Sequence, residues 1–586
     1  AKSIALSPEI AALIGLSAAK LTPNEVMHAL LKSKTDLLWF GGIGTYVRAS
    51  GESDADVGDR ANDAIRVSAA ELGAKVVGEG ANLGMTQRAR IEFAQRGGRL
   101  NTDFIDNSAG VNTSDQEVNI KIALGPASRS GRLAASQRKL LLAGMTEAVA
   151  SRSLANNYQQ SLALSLAERS SHGELPDYAL LLHSLEERGL FERGLEGLPS
   201  DKELEERGRA GRGLTRPELA VLLSYAKIAL EHDLIGSTVP DEPLLSRWLD
   251  AYFPDELRRR FAEGIAGHSL RREIIATALT NAVLNRGGPA LAVRLADETR
   301  RTTPDVALAF LAVREVFELP ALWSGLDALD GKLSGATQIA LYQRTRDLIN
   351  TATLFMLRHG GSDGTLADLI ARQSQTLATL KSVLPTVLPA RLAKGMADEA
   401  SRLIALSVPQ DLAREIAGLD VSEHSLAIDA VAQATGSPVA EAARVFLVLG
   451  DRLRISKLAS KAGRIVTPDY YDRLAVAQAL NQLGKSQADL AQAAIRAGGA
   501  TAIEAWLSQQ GPRLARVIGN LEAIANEGTL TLSRLLVAAG QLQDVAGAAS
   551  AAAPSAATRR ARTGGRARSG ASETQPARKR APSSPA

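Results

Sequence analysis

Lys75-Val76-Val77-Gly78-Glu79-Gly80-Ala81-Asn82 is the stretch on which the reading of the fold turns. A short β-branched run stops at two glycines and a side-chain amide, as a strand does when it ends in a turn. Upstream, Leu37-Leu38-Trp39-Phe40 runs into Gly41-Gly42; downstream, Thr102-Asp103-Phe104-Ile105 runs into Asp106-Asn107-Ser108. Each pattern predicts a strand followed by turn chemistry. Helical windows lie between and before them. Thr22-Pro23-Asn24-Glu25 is a capping box with proline at the first helical position, leading into Val26, Ala29 and Leu30. The segment from Asp56 to Leu72 puts Val57, Ala61, Ala64, Ile65 and Ala69 on one helical face. Strands alternating with helices predict an α/β unit with a parallel sheet in residues 1–130, whose ligands sit beyond the carboxyl ends of the strands.

From about residue 135 the texture changes to Ala/Leu/Arg/Glu-rich segments with a 3.6-residue apolar period, which predicts a large all-α region over 131–545. Its helix starts are written plainly. Thr215-Arg216-Pro217-Glu218 is a second capping box, while Thr303-Pro304-Asp305 and Thr467-Pro468-Asp469 place proline and an acid in a first turn. Leu214–Leu230 and Leu270–Leu284 carry apolar residues at helical spacing, which reads as an interior stripe. Residues 546–586 lack large apolar side chains and are predicted to be a disordered basic tail.

Composition narrows the chemistry. The chain of 586 residues has no cysteine, which excludes disulfides, thiolate metal sites and a cysteine nucleophile and suits a reducing compartment. Its seven histidines are dispersed, with no pairing at metal-ligand spacing. No apolar run approaches a membrane span and no signal peptide precedes the first strand, so a cytoplasmic chain is expected. The net charge of +4 misleads, because eight of the 68 basic residues but only one of the 64 acids, Glu573, lie in 545–586. The body is near neutral, and nothing in it asks for nucleic acid; the tail has no aromatic residue for base stacking.

Three polar clusters remain as candidates. Gly41-Gly42-Ile43-Gly44-Thr45 has Gly-x-Gly after a strand, but Val47 stands where a dinucleotide fingerprint needs a third glycine, and an ordinary turn explains it as well. Gly78-Glu79-Gly80-Ala81-Asn82 permits a close backbone approach and offers an amide donor and acceptor, with turn formation as the alternative. Asp103 through Ser114 stacks amides, hydroxyls and small residues, a pattern suited to a polar-lined pocket.

At these clusters the sequence resembles a known family, the large bacterial NAD-specific glutamate dehydrogenases. The resemblance rests on Asp36-Leu37-Leu38-Trp39, Gly41 to Val47, Asp56-Val57-Gly58-Asp59-Arg60-Ala61-Asn62-Asp63, Val76 to Gln87 and Asn101 to Ile120, with further blocks at Leu214–Ile228 and His268–Arg286. It departs from the family at Phe40, where a polar Asn is expected. The resemblance implies a partial Rossmann-like sheet, NAD as cofactor and oxidative deamination of L-glutamate to 2-oxoglutarate and ammonium. Residue by residue, it places Gly80, Ala81 and Asn82 along the nicotinamide ribose, Asn107 near the nicotinamide and the substrate's amino-acid head, and Ser114 at the substrate's side-chain carboxylate. The roles of Asp59, Arg60 and Asn62 stay open, with helix contacts as the alternative. The family's activating lysine and its diphosphate-binding loop have no counterpart in 1–586, so the catalytic groups are expected upstream of Ala1, the chain is expected to start inside the dinucleotide-binding domain, and little turnover is expected of it alone. A homo-oligomer is also expected. The competing reading is a noncatalytic helical interaction module with a vestigial nucleotide-binding remnant.

Overall fold

The computed structural model describes residues 2–16, 20–360, 364–465, 467, 470–498 and 503–552. They divide into two compact units. The first takes Ala1–Val383, Ala390–Leu426 and Val466–Leu474; the second takes Leu384–Pro389, Ala427–Ile465 and the residues from Ala475 on.

In the first unit, the strands Thr35–Phe40, Ala74–Glu79 and Arg99–Leu100 form a parallel sheet in that order, with Leu38 opposite Val77 and Val77 opposite Leu100. Helix Pro23–Lys32 begins as predicted: the Thr22 hydroxyl accepts the Glu25 N–H, and the Glu25 carboxylate accepts the Thr22 N–H. Phe40, Val47, Val67, Val77, Met85, Phe93 and Leu100 make the core under the sheet. Gly73 lets the second strand start close to that helix: a Cβ there would lie 2.3 Å from the Ser33 carbonyl oxygen.

Two expectations need correction. The segment predicted as a helix over Asp56–Leu72 is a four-residue helix (Asp54–Val57), a 3-10 turn (Arg60–Asn62) and a short strand (Val67–Ser68) parallel to Val47–Arg48. Gly58 at φ +74° ends the helix in the left-handed cap that glycine favours. The third strand lies at Arg99–Leu100 rather than Thr102–Ile105. Thr102 instead precedes a helical turn, Asp103–Asp106, which leads through Asn107 into the long helix Ser108–Arg129.

The all-α reading of the rest holds for the described residues. Helix Arg216–Ile235 starts at its capping box, with the Glu218 carboxylate accepting the Thr215 N–H, and buries Leu219, Leu222, Leu223, Ala226 and Leu230. Helix Thr303–Val316 has Pro304 and Asp305 in its first turn. One hydrophobic cluster runs from Ile105 and Ile120 through helices Thr146–Ser170, Arg216–Ile235 and Arg271–Gly287, so the helical body begins packing immediately after the sheet ends. The second unit is helical, with Leu447, Leu449, Leu483, Leu490 and Leu521 buried. Residues 553–586, which carry most of the expected basic tail, and Pro468-Asp469 lie outside the described residues. Among the described residues no helix is long and apolar enough to cross a membrane.

Candidate functional site

The carboxyl end of strand Ala74–Glu79 opens into the loop Gly80–Thr86, and the helical turn Asp103–Asp106 holds that loop from below. Asp103 and Asp106 are three residues apart and share one helical face. The Asp106 Oδ2 accepts the Glu79 N–H at 3.0 Å and the Asp103 Oδ2 accepts the Leu83 N–H at 2.8 Å. The two carboxylates therefore clamp both ends of Gly80-Ala81-Asn82. Leu83 is held at φ +65°, an uncommon conformation for a branched residue and one that its clamped N–H helps maintain.

Beneath the loop, Glu79 is fully buried and takes both Arg90 Nε (2.6 Å) and Nη2 (2.8 Å), while Arg90 also reaches Asp103 at 3.3 Å. Burial pushes the Glu79 carboxyl up and the Arg90 guanidinium opposes that push. A bidentate pair of this kind fixes orientation, and leaving either member alone would strand a charge in the interior.

The residues predicted to form the site come together in part. The Asn107 side-chain amide donates to Asn82 Oδ1, joining the loop to the junction between the two helices. Gly80 and Asn82 are exposed beside it. Ser114 lies in the second turn of helix Ser108–Arg129, the helix that follows Asn107, and it is exposed. On the side where a Cβ would stand, the space at Gly78 and Gly80 is used by the protein itself, while Gly80 keeps an exposed backbone. The Trp39 indole lies across both, and a Cβ on either would meet the ring at 2.4–2.5 Å.

The Gly41–Thr45 loop is braced internally. Asp59 Oδ2 accepts the Thr45 N–H (2.8 Å) and Asn62 Nδ2 (2.7 Å), which holds the Asp59 carboxyl below the usual range. Arg66 reaches the Thr45 and Asp59 carbonyls. Phe40 is buried and stacks on Tyr46 with ring centroids 5.4 Å apart, so this strand end packs hydrocarbon where a polar contact would otherwise sit.

Sequence reasoning missed the helical side of the site. Arg216 donates to Asn101 Oδ1 (2.5 Å), to Ser165 Oγ (2.9 Å) and to the Ser161 carbonyl (2.8 Å), and Asn101 in turn donates to Asp106. Asn157 donates to Ser108 Oγ (3.0 Å) and to the Ile105 carbonyl (2.8 Å). Gln160, one turn further along the same helix, accepts from the Lys227 ammonium at 3.2 Å. The one visible signal was the Thr215–Glu218 capping box, which fixes where Arg216 begins its helix. His268 packs against Phe253 and uses its Nδ1 to accept the Leu270 N–H at the start of its helix.

The chain matches two family models, the bacterial NAD-glutamate dehydrogenase catalytic domain over residues 1–167 and the glutamate dehydrogenase C-terminal region over residues 211–544. It is similar to proteins named NAD-specific glutamate dehydrogenase from Pseudomonas aeruginosa (42% identity over 78% of this chain and 28% of the relative), Halomonas elongata (38% over 87% and 32%) and Mycobacterium tuberculosis (34% over 92% and 34%). It thus spans about a third of the length of these relatives.

Proposed function

The chain belongs to the bacterial NAD-glutamate dehydrogenase family, and from that premise we propose that it forms the C-terminal part of an enzyme that oxidatively deaminates L-glutamate to 2-oxoglutarate and ammonium with NAD⁺. In this reading residues 1–130 complete a Rossmann-like dinucleotide-binding domain, the helices of 131–383 in the same compact unit brace it, and the protein works in the cytoplasm as a homo-oligomer.

The observation that carries the reading is the Asn82–Asn107 amide pair at a strand's carboxyl end, in a loop clamped by Asp103 and Asp106. With Asn82 Oδ1 and Asn107 Nδ2 engaged with each other, Asn82 Nδ2 and Asn107 Oδ1 remain as an exposed donor and acceptor side by side. Such a rim fits ribose hydroxyls and a nicotinamide carboxamide. Gly80, Ala81, Asn82 and Asn107 would hold the cofactor there, and bound NAD⁺ supplies the hydride acceptor. Asn107 would also orient the substrate's amino-acid head, and Ser114 would donate to the side-chain carboxylate. The deep Glu79–Arg90 pair holds the base of the loop without entering the chemistry.

The test is glutamate-dependent NAD⁺ reduction. The full-length polypeptide that contains this chain should reduce NAD⁺ with glutamate, and residues 1–586 alone should show little turnover. Vigorous turnover by 1–586 would overturn the split-site reading, and a full-length protein inert toward glutamate would overturn the activity.

A further inference from the structure

A row of polar side chains runs from the Asn82–Asn107 pair into the helical body. Ser108, next to Asn107, accepts from Asn157; Gln160, one turn on, accepts from Lys227. Asn157 and Gln160 are three residues apart, so their side chains rise side by side from one face of helix Thr146–Ser170. Ser153, one turn before Asn157, continues that face and meets Thr113 and Gln116 of helix Ser108–Arg129. The row therefore follows the groove between these helices and ends on an ammonium from a third helix, Arg216–Ile235.

Lys227 is unusual because it is half-buried without a counter-charge. Its hydrogen-bond partner is the neutral Gln160 carbonyl. Glu231, one turn along its own helix, is engaged by Thr277, and among the described residues no carboxylate pairs with the Lys227 ammonium. Burial pulls its pKa down to about 7. An enclosed ammonium is costly unless an anion meets it. Elsewhere around the site the charges are already matched: Arg90 to Glu79 and Asp103, and Arg216 to neutral oxygens and Glu168.

We propose that Lys227 is a substrate-binding residue, the cation that the helical region lends to the Asn82–Asn107 site to receive a carboxylate of a small dicarboxylate. The inference rests on the glutamate dehydrogenase reading and deepens it. Glutamate and 2-oxoglutarate carry two carboxylates each, and the strand-end clusters supply amides, hydroxyls and acids but no unmatched cation. The neutral Gln160 amide beside the ammonium suits a carboxylate, which accepts hydrogen bonds from an amide N–H while the lysine balances its charge.

Trace acetylation of the wild-type full-length enzyme, read by mass spectrometry at Lys227, tests binding directly. Glutarate or 2-oxoglutarate should slow modification of Lys227 at least fivefold, with NAD⁺ alone having little effect. Equal labelling with and without the dicarboxylates, or protection by NAD⁺ alone, overturns the inference. In kinetics, Lys227→Met should raise the KM for glutamate at least tenfold while leaving NAD⁺ affinity within twofold, and Lys227→Arg should recover part of the loss. An unchanged KM for glutamate overturns the assignment of Lys227 while leaving the enzyme's activity standing. A wild-type enzyme without glutamate-dependent NAD⁺ reduction overturns the functional reading and this inference with it.

Discussion

The Asn107 amide donates to Asn82 Oδ1 across a sequence gap of 25 residues, tying the loop after one strand to the junction of two helices. The loop alone could adopt many conformations. Asp106 at the Glu79 N–H, Asp103 at the Leu83 N–H and Asn107 at the Asn82 side chain leave it one. Preorganisation of this kind is what a cofactor-binding rim requires, since loop ordering would otherwise be subtracted from binding.

Asn82→Ala in the full-length enzyme removes one face of the rim and leaves the clamping carboxylates intact. The pair is exposed, so stability should change by less than about 1 kcal/mol, whereas the KM for NAD⁺ should rise about tenfold, the equivalent of ~1.4 kcal/mol of binding. Ser114→Ala should instead act on the KM for glutamate. Steady-state kinetics with each substrate varied separates the two, and unaltered constants would remove both assignments.

Arg90→Met leaves the buried Glu79 without its bidentate partner and Asp103 without its cation. Loss of about 3–5 kcal/mol in urea unfolding is expected, because the charge left behind is costlier than the pair was favourable. Adding Glu79→Gln should return part of that loss. A single-variant effect below ~1 kcal/mol would mean that water reaches Glu79.

How far the sequence foretold this arrangement depended on whether a signal was local. Thr22–Glu25 and Thr215–Glu218 are capping boxes complete within four residues, and both start helices where expected. Val76-Val77 before Gly78 marked a strand for the same reason. Thr102-Asp103-Phe104-Ile105 misled because β-branched and aromatic residues outweighed the acids; those acids instead sit in a first helical turn and bond backbone N–H groups 20 and 27 residues away. Over Asp56–Leu72 the apolar spacing fits a helix, but Asp59, Asn62, Asp63 and Arg66 use their side chains to fasten the Gly44–Thr45 turn, and that tertiary bonding prevails over periodicity. Lys227 was legible only as one polar residue on an apolar helix. Its isolation from carboxylates is a property of three packed helices.

Two glycines separate backbone crowding from side-chain crowding. A Cβ on Gly264 would come 2.1 Å from the Ala123 carbonyl oxygen, a backbone atom of helix Ser108–Arg129, so Gly264→Ala should cost roughly 2–3 kcal/mol by forcing the helices apart. A Cβ on Gly78 would meet the half-exposed Trp39 indole, which can swing into solvent. Gly78→Ala should therefore change stability little but shift tryptophan emission to the red. Equal losses for the two variants would show that the indole is held as firmly as a backbone.

Lys227 also makes a pH-dependent contribution to the unliganded protein. Its folded pKa, about 7, lies below the unfolded lysine value. Between pH 7 and roughly 10 the unfolded chain therefore binds a proton that the folded chain does not, and stability rises with pH across that window. Below pH 7 both states are protonated and the full cost of enclosing the ammonium is felt. Lys227→Met deletes this cost while keeping most of the side-chain volume. It should stabilise the unliganded protein by roughly 1–3 kcal/mol near pH 7, and the advantage over wild type should shrink as the pH approaches 10. Urea midpoints for the two proteins at pH 7, 8.5 and 10 measure the gap directly. A gap that stays constant with pH would mean that the Lys227 ammonium is solvated in the folded protein, and the enclosed, unmatched charge on which its ligand-binding role depends would be gone.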